Sequence, residues 1–199
     1  ERVLMASMEF LPRGSSASIT QSQDPSRTHV GVRVKELTER DRRRLLMHFL
    51  ALADSDRLLR FGTELQDHLI TRYVQRLDFV RDTVLGVFNH DLHLTAVAHL
   101  NFVPYDSNPL FNGVTDKSRV AEFGLSVLSE SRDQGYATRL IERAVSHCRN
   151  ENVDTLYMHY LASNEAVLYI AQKAGMVITY VPGQHEAFLK LPVISPEPN

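Results

Sequence analysis

The stretch from Val120 to Arg149 constrains the fold most tightly, because its hydrophobic period changes once, across a single short turn. Val120–Leu128 is an apolar run with the length of a strand. It feeds through a short polar turn into a helix from Gly135 to about Arg149, with Ala137, Leu140, Ile141, Ala144, Val145 and Cys148 on one face. A strand passing directly into an amphipathic helix is the unit from which α/β sheets are built.

The same alternation continues on both sides. His29–Val34 alternates with period two and is expected as a first strand. Thr38–Asp41 is a capping box opening a helix with Leu45, Leu46, Phe49 and Leu50 on one face, and Thr63–Gln66 repeats the signature before a helix carrying Leu65, Leu69, Ile70, Tyr73, Val74 and Leu77. Thr83–Phe88 and Leu94–Val103 read as strands joined by Asn89-His90-Asp91, and a loop rich in Pro, Asn, Asp and Gly runs from Pro104 to Ser118. Thr155–Leu161 is a strand, Asn164–Ala174 a helix stopped by Gly175, and Val177–Val181 and Ala187–Leu191 are closing strands. The order is βααββ–βαβαββ, a mixed α/β domain.

Length and composition bound this domain. The chain has 199 residues, is 43% hydrophobic and carries a formal charge of −2, which suits one globular unit with a core. That balance gives no electrostatic reason to expect nucleic acid or an anionic membrane as partner. One cysteine, Cys148, excludes an intrachain disulfide framework and a multi-thiolate zinc site, and suits a reducing cytoplasm. No apolar run approaches the roughly 18 residues of a membrane span, and Val3–Met5 and Phe10–Leu11 are too short for a secretory leader. Residues 1–27 differ in composition and are expected to form an arm that docks on a partner or stays loose. The domain is expected over 28–191, with a proline-rich tail over 192–199.

The turn before the long helix reads Arg132-Asp133-Gln134-Gly135-Tyr136-Ala137. Small residues there let backbone approach a ligand, and amides at a helix N-terminus favour an anion such as a pyrophosphate. An ordinary tight strand–helix connection fits the same six residues. Neither Gly-x-Gly-x-x-Gly nor Gly-x-x-x-x-Gly-Lys-Ser/Thr is present, so dinucleotide-fold and P-loop readings lack their fingerprints.

In its context, Arg132-x-x-Gly135-x-Ala137 resembles the Gln/Arg-x-x-Gly-x-Gly/Ala signature of the GNAT superfamily, the acetyl-CoA-dependent N-acetyltransferases. Asn164, followed eleven residues later by Gly175-Met176, resembles that family's closing Asn…Gly-Phe pattern with Met in place of Phe. The resemblance covers about residues 28–191 and is specific over 121–176. It implies a mixed, splayed sheet of about seven strands flanked by about four helices, with acetyl-CoA wedged between two central strands. Ser126, Val127 and Leu128 would hold the pantetheine arm, and Arg132, Asp133, Gln134, Gly135, Tyr136, Ala137 and Thr138 the pyrophosphate. Asn164 would bind the arm further along; as a residue type it equally suits a helix N-cap.

The implied reaction is direct attack of a neutral primary amine on the thioester. An alkyl amine with a pKa of about 10.4 must first lose a proton, so a general base is needed. Glu122, early on the strand that leads to the turn, is the candidate, as in several members of the family. A lone glutamate on an apolar strand is costly to bury without partner or purpose, although a strand-end residue facing solvent or an arginine fits the sequence too. Where the family often places an acidic tyrosine, seven residues after the asparagine, this chain has Ala171. Tyr169 lies about 200° around the helix from that place, which leaves water, another tyrosine such as Tyr157 or Tyr160, or no acid at all.

Other clusters carry less. His90-Asp91-x-His93 sits in an expected hairpin turn without a third ligand, so no metal is expected. His99 with Asn101, and Tyr157 with His159, share strand faces and fit either an acceptor pocket or a hydrogen-bonded core. Cys148 reads as core, and Arg40, Arg42, Arg43 and Arg44 as a solvated helix face. The function expected is acetyl transfer from acetyl-CoA to an amine, either a small molecule or a protein lysine. That acceptor would enter over the first two helices and the 104–118 loop, in a cytoplasmic protein for which the family allows a homodimer. A catalytically silent acetyl-CoA-binding regulatory module is the alternative.

Overall fold

The structure is a computed structural model that describes residues 33–103 and 119–191. The expected arm, the 104–118 loop, the tail and the start of the expected first strand lie outside the described residues. Seven strands form one sheet in the order β1-β2-β3-β4-β5-β7-β6. They are β1 (Val34–Glu36), β2 (Thr83–Phe88), β3 (Leu94–Val103), β4 (Val120–Val127), β5 (Thr155–Leu161), β6 (Val177–Val181) and β7 (Gln184–Lys190). The helices are α1 (Arg42–Leu50), α2 (Asp54–Phe61), α3 (Asp67–Arg76), α4 (Tyr136–Asn150) and α5 (Glu165–Lys173).

Within the expected fold several details differ. Val34 belongs to the first strand, but β1 runs on to Glu36 and pairs Val34 with Val87. Five helices are described instead of about four, the addition being α2. Arg57 explains it: this arginine is buried and donates to the carbonyls of Leu50, Leu52 and Leu65 and to Asp67 Oδ1 at 2.8–3.0 Å. One guanidinium therefore joins the end of α1, α2 and the start of α3. The capping box at Thr38 forms as expected, with Asp41 Oδ2 accepting from the Thr38 amide at 3.1 Å, but it opens a 3-10 turn before α1. The second box does not form, and Gln66 precedes α3 without a side-chain cap.

Each face of the sheet carries its own core. Leu140, Ile141, Ala144 and Cys148 of α4 pack with Leu85, Ala98, Leu100, Phe123, Leu156 and Met158. On the opposite face Leu45, Phe49, Ile70 and Val74 of α1 and α3 pack with Val84, Val97 and Leu128. Cys148 is fully buried and its thiol is pushed up to about 12, so it is core as its helix face implies. Arg42 departs from the expected solvated face: it pairs with Glu39 and donates to the carbonyls of Val74 and Leu77, tying α1 to the end of α3.

The sheet divides between β4 and β5. These parallel neighbours pair only at Val120–Thr155, Ala121–Leu156 and Glu122–Tyr157. Beyond that point β4 stays with β3 as far as Val127, and β5 stays with β7 as far as Leu161. The two halves splay apart there and leave a gap.

Candidate active site in the strand gap

Antiparallel alternation decides which backbone groups face the gap. The Leu128 amide donates to Thr95 O at 2.9 Å. In the register of β3 and β4, Leu128, Ser126, Gly124 and Glu122 therefore direct their backbone groups at β3. Leu125 and Val127 direct theirs the other way, into the gap. Of the residues expected there, Val127 is so placed. Ser126 lines the cavity, but its hydroxyl bonds His48 Nε2 at 2.8 Å, and Leu128 is buried in the core of the opposite face. Leu125 was not expected; the signal was the same period-two alternation, applied to backbone instead of side chains.

A cavity of about 650 Å³ follows the gap, lined by Leu125, Val127, Arg132, Gly135, Ala137 and Asn164 among others. At one end lies the first turn of α4. Its first helical bond runs from Arg139 N to Gly135 O, so the amides of Tyr136, Ala137 and Thr138 have no partner within the helix. No acidic residue occupies that turn to compete for an anion. Gly135 is required for its conformation, not for space: its φ is 76°, and a Cβ there would meet nothing within 4 Å. Asp133 takes the same left-handed region at φ 61°. Arg132 reaches the cavity wall but is paired, Nη2 lying 2.5 Å from Asp56 Oδ1 of α2. Asn164 is buried and caps α5 by accepting from the Val167 amide at 3.2 Å, while it also lines the cavity. The N-cap reading of this residue is realised, and its side chain also stands at the cavity wall.

At the other end the cavity meets a smaller one, about 180 Å³, lined by Arg60, Glu122, Gly124, His159 and Tyr160. Glu122 does not face an arginine at contact distance: His159 Nδ1 lies 3.0 Å from its Oε1. That hydrogen bond, reinforced by the charges of His159 and Arg60, holds the Glu122 carboxyl below its ordinary value against the effect of burial. The same bond raises His159. Tyr157, beneath them, is pushed well up by burial and by the charges of Glu186 and Glu122, and bonds Glu186 at 3.4 Å. The Tyr160 hydroxyl is buried without a hydrogen-bond partner among the described residues.

Behind this pair runs a polar chain from α2 to β3. Arg60 Nη2 donates to the Tyr73 hydroxyl at 3.3 Å, that hydroxyl lies 2.9 Å from His99 Nδ1, and His99 Nε2 is 3.2 Å from Asp82. His99 is therefore in a hydrogen-bonded network beside the site. Ala171 is fully buried in the α4–α5 core, and Tyr169 is exposed at the cavity rim. His90 and Asp91 form an exposed pair, and the described residues contain no group of three or more metal-ligating side chains. No described helix is long and apolar enough to cross a membrane.

Residues 87–176 match the family model of the Acetyltransferase (GNAT) family. No curated protein matches the sequence. Among solved structures, the GNAT domain of S. lividans PAT is similar at 19% identity and a TM-score of 0.66, covering 80% of this chain and 90% of that one. A. thaliana NAA60 in complex with acetyl-CoA is similar at 12% identity and a TM-score of 0.62, covering 81% and 99%. Spermidine N-acetyltransferase from V. cholerae, in complex with CoA and spermine, gives 18% identity and a TM-score of 0.59, covering 80% and 95%. The matched segment, the seven-stranded sheet parted between β4 and β5 and these likenesses agree: residues 87–176 carry the GNAT acetyltransferase match, and the fold is the one shared by GNAT acetyltransferase structures.

Proposed function

We propose that this protein transfers the acetyl group of acetyl-CoA to a primary amine. The observation that carries the reading is one continuous cleft. It runs from the partnerless amides of α4, past the backbone of Val127 and Leu125, to the Glu122–His159 pair. The amides of Tyr136, Ala137 and Thr138 would seat the pyrophosphate, with Arg132, Asp133, Gln134 and Gly135 shaping the turn. Val127 and Leu125 would hydrogen-bond the pantetheine arm as an added strand would. Asn164 uses Oδ1 as a cap, so its Nδ2 supplies the donors for the arm.

When bound, the coenzyme supplies an acetyl thioester. The residues of this chain do the rest. The Glu122–His159 pair takes one proton from the incoming ammonium, leaving the nitrogen lone pair free to attack. A backbone N–H facing the gap, from Leu125 or Val127, stabilises the oxygen that gains charge as the N–C bond forms and the C–S bond breaks. The leaving thiolate takes its proton from solvent or from the Tyr160 hydroxyl, since Ala171 offers no acid and Tyr157 is held by Glu186. The lone buried thiol suits a cytoplasmic setting, and the acceptor enters on the α1–α3 side of the sheet, where Glu122 and His159 point.

The test is steady-state release of CoA thiol from acetyl-CoA over a panel of small primary amines, amino acids and lysine peptides. Amine-dependent release, reduced about a hundredfold or more in Glu122→Gln with acetyl-CoA affinity retained, is the expected result. Tight acetyl-CoA binding with no turnover on any acceptor would instead identify a silent coenzyme-binding module.

A further inference from the structure

Arg60 is out of keeping with the other half-buried arginines. Arg57, one turn earlier on α2, has its donors matched by three carbonyls and Asp67. Arg60 lies within ion-pair distance of no carboxylate among the described residues, and its Nε is buried without a hydrogen-bond partner. Its single hydrogen bond among the described residues is the 3.3 Å contact to the Tyr73 hydroxyl. A guanidinium carries five N–H donors, and a sheltered cation without an anion is costly.

Its position is nonetheless fixed. The guanidinium packs 4.9 Å from the Phe61 ring centroid and 6.0 Å from that of Phe49. It lies directly on Gly124: a Cβ at that position would stand 2.4 Å from Nη2 and 2.5 Å from Cζ. Residue 124 is glycine because the arginine head fills the space a side chain would need. Arg60 lines both cavities, at the point where they meet.

We propose that Arg60 receives a carboxylate of the acceptor, and that the acceptor is an amino acid or a close relative with its amine near its carboxylate. The proposal rests on the acetyl-transfer reading and narrows its substrate. Glu122 and Gly124 are two residues apart on one strand, about 7 Å, and their side-chain positions share a face. An amine at the Glu122–His159 pair thus brings a carboxylate on a neighbouring or next-but-one carbon under the guanidinium, where a two-pronged charge-assisted contact forms. A polyamine would place a second cation against Arg60, and a lysine within a peptide has no carboxylate near its amine.

The test uses reaction products, so that binding is read without turnover. N-acetylalanine, N-acetylmethionine and N-acetylglutamate are titrated calorimetrically into the CoA-saturated full chain, each beside its C-terminal amide. The acids are expected to bind about tenfold more tightly or better than the amides, and Arg60→Met to remove most of that difference. Gly124→Ala keeps the charge but pushes the head aside, so it is expected to weaken the acids selectively and reads the same contrast if Arg60→Met does not fold. Equal binding of acids and amides to the wild type, no binding of either, or an acid preference that survives both variants would overturn the proposal. Turnover on the parent amines is scored separately. Acid preference without turnover refutes acetyl transfer and leaves the anion site; turnover without acid preference does the reverse.

Discussion

Glu122 and His159 share a proton, and their titration belongs to the pair. Glu122 is held below 4.5 and His159 above 6.5, so between those values the pair is ionised and already occupied by a proton. The pair becomes able to accept another only as His159 deprotonates. The expected pH profile of kcat/KM therefore rises with an apparent pKa above 6.5, and the residual activity of Glu122→Gln has its limb moved down, because the carboxylate that raises His159 is gone. A limb in the carboxylate range that vanishes in Glu122→Gln would show Glu122 acting alone. For stability the signs oppose: the lowered carboxyl contributes above its ordinary pKa and fails as pH falls, whereas the raised imidazole contributes below 6.5 and fails as pH rises. Glu122 was legible in the sequence as the one charge on an apolar strand. His159 was legible only as half of a face shared with Tyr157, since its partner lies on another strand. Arg60, Asp56 and His48 left no signal, because α1 and α2 bring them to the cleft from far along the chain.

At the scale of elements, periodicity located most of the sheet and missed one helix. The bounds of β2, β3, β5 and β6 coincide with the apolar runs that announce them. Helix α2 escaped because half of Asp54–Phe61 is charged and its most buried member is Arg57, which a hydrophobic pattern counts as surface. That arginine is expected to behave as core: Arg57→Met leaves three backbone carbonyls unmatched and should lower unfolding free energy by about 3 kcal/mol in urea titration. The turn before α4 is a second case where the residue type was found and its reason was not. Gly135 is needed for its positive φ, so Gly135→Ala should cost about 1–2 kcal/mol and weaken acetyl-CoA binding. Gly175, also at positive φ, lies outside the cleft and should show the stability loss without the binding loss. Calorimetry with acetyl-CoA on both variants separates the two effects.

Over the whole molecule, two half-sheets are joined by three residue pairs, and the wall of the gap is braced from behind by a buried histidine. His48 is 2% exposed, its Nδ1 lies 3.0 Å from Leu94 O and its Nε2 takes the Ser126 hydroxyl. Its pKa is lowered to about 4, chiefly by burial. The unfolded chain binds that proton near 6.5 and the native state only near 4, so stability should fall by about 3 kcal/mol as pH drops through that window. The urea midpoint of His48→Gln should be flatter over the same range; an equally steep loss in the variant would place the acid sensitivity elsewhere. The brace matters because it ties β4 to β3 and α1 where β5 leaves it, and the proposed chemistry depends on that separation. The most direct test is a crystal structure with a thioether analogue of acetyl-CoA. The acetyl oxygen is expected within hydrogen-bond reach of the Leu125 or Val127 amide, the pyrophosphate on the amides of residues 136–138, and the acetyl carbon open toward Glu122 and His159. A coenzyme bound outside the gap, or an acetyl group turned to the α4–α5 face away from Glu122, would contradict it.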